Sequence, residues 1–141
     1  MSCIQAVVGG ALFIVPTLGS ACSCLPDSVE GHYGAAAEVF VGRVVTVRDA
    51  AHPGPLFDAA AAVAATVAVE EAYKGYPASP SAVWSEPVHP GHCAIDLAVG
   101  GRYLFYVHVS GQVDLCGGTR RLLADDRDEL ADLRRLRNVL R

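Results

Sequence analysis

Two cysteines one residue apart, Cys22 and Cys24, restrict this chain more than any other feature. A bridge between them would close a ring too small for relaxed disulfide geometry. If both are oxidised, each must reach a distant part of the chain. The residues on their two sides differ in character. "MSCIQ" leads into "AVVGGALFIVPTL", an apolar run of 13 residues, and then into the small residues "GSA". A bilayer span takes ~20 residues, so the run is too short to cross. Its length and small-residue exit predict a secretory signal peptide over 1–21, cut after Ala21, although no Lys or Arg precedes it. The competing reading is a first strand or helix buried in a cytosolic domain. No later segment is apolar and long enough to span a membrane; "FDAAAAVAATVAV" comes nearest but runs straight into Glu70 and Glu71.

Removal of residues 1–21 takes Cys3 away. Cys22, Cys24, Cys93 and Cys116 remain. An even number in an exported chain favours two disulfides over a metal site or free thiols. Cys22 and Cys24 each then pair with Cys93 or Cys116, and the residues alone leave both arrangements open. Either one fastens the start of the processed chain, a place where polypeptides normally fray.

The 141 residues suit one domain, and 52% hydrophobic against 18% charged supplies a core and argues against disorder. The net charge of −4 carries no field that calls for nucleic acid or a membrane surface as partner. "EVFVGRVVTV", Glu38 to Val47, alternates and is rich in Val, which predicts a strand with a bulge at Gly42. "DAAHPGPLFD", Asp49 to Asp58, reads as a loop. Ala64 to Gly75 reads as a second strand turning at Lys74-Gly75, and the preceding alanines fit strand or helix. "AVWS" is a short strand. "RYLFYVHV", Arg102 to Val109, is the clearest one, and "SG" turns it into "QVDLC", a hairpin ending at Cys116. From Asp125 on, Leu130, Leu133, Leu136 and Leu140 recur near helical spacing, with acids first and arginines last. The expectation is an all-β fold with one or two helices: a small barrel over 22–121 and a charged amphipathic helix over 122–141.

Several blocks resemble the tissue inhibitors of metalloproteinases (TIMPs). "CSCLP" is similar to that family's Cys-x-Cys-x-Pro mature N-terminus. "VFVGRV", "AYKGY", "HCAIDLAVGGRYLFYV" and "VDLCGG" resemble its later blocks, in its order, from Cys22 to about Arg121. The resemblance implies a five-stranded OB-fold (netrin-like) barrel with bridges Cys22–Cys93 and Cys24–Cys116. The chain departs from the animal members in lacking a third bridge and a second disulfide-rich domain, as a minimal, bacterial-type relative would. The resemblance further implies a secreted, monomeric inhibitor of a zinc metalloprotease. The α-amine and carbonyl of Cys22 would chelate the target's zinc, and Ser23 would enter the specificity pocket. Cys24, Leu25 and Pro26 would run along the substrate cleft, with Ala94 and Ile95 as a second contact ridge. No cofactor of its own is expected.

Other readings compete. A Cys-x-Cys redox site needs a low-pKa thiolate, and no Lys, Arg or His stands near Cys22 in sequence. "HPGHC", His89 to Cys93, lacks zinc-ligand spacing and a fourth partner. His32, His52 and His108 are scattered, and no catalytic motif is present, so no enzyme is expected. The rival is a netrin-like binding module without inhibitory activity. Its lipid-anchored variant would attach lipid at Cys22, but the aliphatic Leu18 lies four residues before it rather than three.

Overall fold

The computed structural model describes residues 22–51 and 61–140. The signal-peptide assignment and His52 lie outside them. Five strands, β1 (Glu38–Ala51), β2 (Ala61–Lys74), β3 (Ser81–Ser85), β4 (Arg102–Val107) and β5 (Arg120–Arg121), form one antiparallel sheet in the order β3-β2-β1-β4-β5. Two helices, α1 (Val29–Ala35) and α2 (Arg127–Val139), accompany it. The all-β class with a C-terminal helix is therefore as expected.

The sheet curls until its β3 edge meets the segment after β4. Trp84 N–H donates to Gly111 O at 3.1 Å and Val113 N–H donates to Trp84 O at 2.8 Å, a single parallel bridge between Trp84 and Gln112. This contact turns the sheet into a partly open barrel. It also corrects the expected hairpin strand in "QVDLC", of which only Gln112 pairs. One further expectation is corrected at β1, and one choice left open is decided at β2. Asp49 to Ala51 continue β1 instead of starting a loop, and the alanines from Ala61 on are strand, not helix. Pairing across the long ribbon, down to Ala51 opposite Ala61, holds residues of low strand propensity in place.

The bulge expected at Gly42 is present as a register shift between Val41 and Gly42. A Cβ there would stand 2.5 Å from Val67 Cγ1 and 2.8 Å from Ala68 O, so only glycine lets β2 approach. Both faces of the sheet are covered, which explains the unbroken apolar runs Val39–Val41 and Tyr103–Val107. Phe40, Val67, Phe105 and Val113 fill the barrel interior. Val39, Val41, Leu104 and Leu133 pack on the opposite face beneath the helices.

α2 docks there as its leucine spacing predicts. Leu133 is fully buried, and Leu130 and Leu136 flank it. Its arginines return to the sheet: Arg134 holds Glu71 at 2.9 and 2.8 Å, and Arg137 donates to Ala72 O at 2.9 Å. The Arg134 hydrogen bond keeps the Glu71 carboxyl below its ordinary range, against the opposing effect of partial burial. Arg120 of β5 ties the helix start by bonds to Asp126 and Glu129.

α1 was not visible in the sequence, where Gly31 and Gly34 argue against a helix. Tertiary contacts make it. Ser28 Oγ accepts from Gly31 N–H at 3.1 Å as the N-cap, and buried Tyr33 donates its hydroxyl to Tyr73 O at 2.8 Å. At the other end Lys74 Nζ donates to the carbonyls of Tyr33, Gly34 and Ala36 at 2.6, 3.1 and 2.6 Å.

Candidate functional site

Residues 22–28 run without regular structure from the first described residue to the start of α1. Two bridges hold them: Cys22–Cys93 and Cys24–Cys116, with Cα atoms 5.2 and 5.1 Å apart. Of the two arrangements left open by the residues, this is the one the family resemblance implied. The segment has no helix or strand, and the two bridges turn both cysteine side chains toward the same side. Cys22 and Cys24 can thus both reach the barrel, where Cys93 and Cys116 lie on neighbouring loops. Those loops are joined by Leu115 N–H donating to Cys93 O at 2.9 Å. A turn held by Gly117 N–H on Asp114 Oδ1 at 2.7 Å positions Cys116.

All four sulfurs lie within 4.8 Å of one another. Cys22 Sγ is 3.9 Å from Cys24 Sγ and 4.0 Å from Cys116 Sγ. In the oxidised state these are contacts without a proton. The bridges close loops spanning 71 and 92 residues, and in the loop-entropy treatment each stabilises by about 4 kcal/mol when taken alone.

Among the described residues, no hydrogen bond engages the backbone of Cys22 to Pro26. Ser23, Cys24, Leu25 and Pro26 are all exposed, Leu25 to 90%, while Cys22 is half-buried. A polar backbone that is fixed covalently yet unpaired offers donors and acceptors outward.

Ala94 and Ile95 turn largely inward. They are 7% and 5% exposed, and Ile95 belongs to the barrel core, with its N–H on Ser85 Oγ at 3.3 Å. Their side chains offer little surface, although Ala94 lines a small hollow beside Cys93. The apolar surface beside the bridges is instead Leu115, 45% exposed and directly before Cys116, with exposed Val88 in the loop before Cys93. Sequence reasoning passed over Leu115 because "QVDLC" reads as a strand. An exposed Leu directly before a bridged Cys was the available signal.

Among the described residues, no histidine joins the sulfur cluster. His89 and His92 stack edge to face with centroids 5.6 Å apart, and His92 meets Glu86 at 3.4 Å. His108 Nδ1 lies 3.2 Å from Ser110 Oγ, just past β4 rather than on a strand face. A hollow of about 220 Å³ beside the second bridge is lined by Asp27, His32, Tyr106, His108, Asp114 and Cys116, among others. Among the described residues, the four cysteines are the one group whose ligand atoms stand close enough to share a metal ion. No known family model matches the chain, and no curated protein does.

Proposed function

We propose that the chain is a secreted inhibitor of zinc metalloproteases that presents Cys22 to the target's catalytic zinc. The observation that carries this reading is the segment Cys22–Pro26: exposed from Ser23 on, anchored through sulfur on both sides of Ser23, and, among the described residues, unpaired along its backbone. Cleavage after Ala21 would leave an α-amine on Cys22. Such an amine titrates near ~8, so its deprotonated form is accessible at neutral pH. Nitrogen and carbonyl oxygen of one residue form a five-membered chelate, and a protease zinc keeps a position open for such donors. The Cys22–Cys93 bridge sets the nitrogen's place beforehand, so little ordering entropy is lost on binding. Ser23 would enter the pocket beside the metal, and its small size fits broad selectivity. Leu25 extends along the cleft, and Leu115 supplies the adjoining apolar contact in place of Ala94 and Ile95.

One added Ala before Cys22 tests the mechanism. The extended protein should unfold at an unchanged temperature and lose inhibition of zinc endopeptidases. Equal inhibition by the extended protein refutes chelation. If the exported protein, shown by intact mass to start at Cys22 with two bridges and no lipid, inhibits none of a broad protease panel, the barrel is a netrin-like binding module instead.

A further inference from the structure

The sulfur cluster has a second use that does not depend on protease inhibition. We propose that, once reduced, Cys22, Cys24, Cys93 and Cys116 bind one Zn(II) as a tetrathiolate, so that the N-terminal segment is fastened by metal when it is not fastened by disulfides. The ligand class is a thiophilic closed-shell cation, of which zinc is the tetrahedral case.

Geometry carries the proposal. Zinc–sulfur bonds of about 2.3 Å in a tetrahedron place the sulfurs about 3.8 Å apart. Two sulfur pairs that belong to different bridges already stand at 3.9 and 4.0 Å, and no pair exceeds 4.8 Å. The ligands come from three places in the chain, which is what a metal needs to fix a fold. Cys22 and Cys24 project from one short segment, while Cys93 and Cys116 are pre-set by the Leu115 N–H on Cys93 O and the Asp114 turn. Three of the sulfur-bearing residues are half-buried and Cys24 is exposed, so the cluster is sheltered on one side and open to an entering ion on the other. Asp114 lines hollows beside both Cys93 and Cys116, and Glu86 and Asp27 line one each. This acidic surround draws a cation in.

The chemistry balances. Each bridge accepts two electrons and two protons from a dithiol reductant, which leaves as its own disulfide. The four thiols then release four protons to solvent as they bind zinc. An oxidant reverses the sequence, re-forming both bridges and expelling the ion.

The test uses the full chain carrying Cys3→Ser, so that no fifth thiol takes part. The protein is reduced with a dithiol, freed of reductant under anaerobic conditions, and titrated with zinc alone. The expected result is one zinc per chain by native mass spectrometry, with all four thiols protected from alkylation. Cobalt in place of zinc should give the intense visible bands of a tetrahedral thiolate. Diamide should then release the zinc stoichiometrically. Cys24→Ser should abolish stoichiometric zinc uptake, whereas the His89→Ala, His92→Ala double variant should retain it. Should the reduced chain be unfolded, zinc is expected to restore its circular dichroism. Zinc that fails to bind, that leaves the thiols open to alkylation, or that is lost in the histidine variant and kept in Cys24→Ser overturns the proposal.

Discussion

The two ends of the described chain are attached to the same barrel by opposite means. Residues 22–26 have two covalent ties and, among the described residues, no backbone hydrogen bond. α2 has no covalent tie and is held by a buried leucine stripe framed by ion pairs to Glu71 and from Arg120. Burial consumes the surface it uses: the apolar face of α2 is no longer available to anything else. A sulfur bridge fixes position while leaving the polar backbone outward. The contrast supports the proposed interaction surface at the N-terminal end, with α2 covering the core at the C-terminal end.

The contrast can be broken or sharpened by substitution. The largest effect should come from Cys116→Ser, which removes one covalent tie and should lower unfolding free energy by about 4 kcal/mol in denaturant titration; unchanged stability would mean that the second bridge does not hold the segment. Leu133→Ala empties the centre of the α2 interface and should cost about 3 kcal/mol, with inhibition retained if the helix only seals the core. The Glu71 contribution is smaller because Arg134 and Glu71 are partly exposed, and Glu71→Gln should cost about 0.5 kcal/mol. Its sign with pH is fixed. The folded-state pKa lies below the ordinary value of 4.5, so the stabilisation is present above pH 4.5 and is lost as pH falls below it through the lowered folded value. Glu71→Gln should therefore narrow the gap to the parent protein as acid is added; a constant gap would show that the carboxylate charge is not what counts. Leu25→Ala should change stability least, by under about 0.5 kcal/mol, while weakening inhibition at least several-fold in a progress-curve assay.

Legibility in the sequence divides along the same line. Strands buried by their own apolar pattern, such as Arg102–Val107 and the first part of β1, were visible in the sequence, as was α2 from its leucine spacing and charge order. Elements created by partners were not. α1 contains two glycines and exists because Lys74 and Tyr73 receive it. β5 is two arginines whose strand state comes from pairing with Tyr103 and Leu104. Ala94 and Ile95 come after a bridged cysteine, a position that says nothing about facing inward; Ser85 and the barrel interior decide that. The pairing of the cysteines needed the family resemblance, since spacing permitted both arrangements.

The grip of Lys74 on the last carbonyls of α1 has a practical consequence. It is the one lysine in the chain, and its nitrogen faces three oxygens at 2.6 to 3.1 Å. A mild acylating reagent would find that amine occupied by three carbonyl oxygens. In a protein processed to Cys22, such a reagent would mark the leading nitrogen almost alone, giving a chemical handle on the atom whose reactivity matters most.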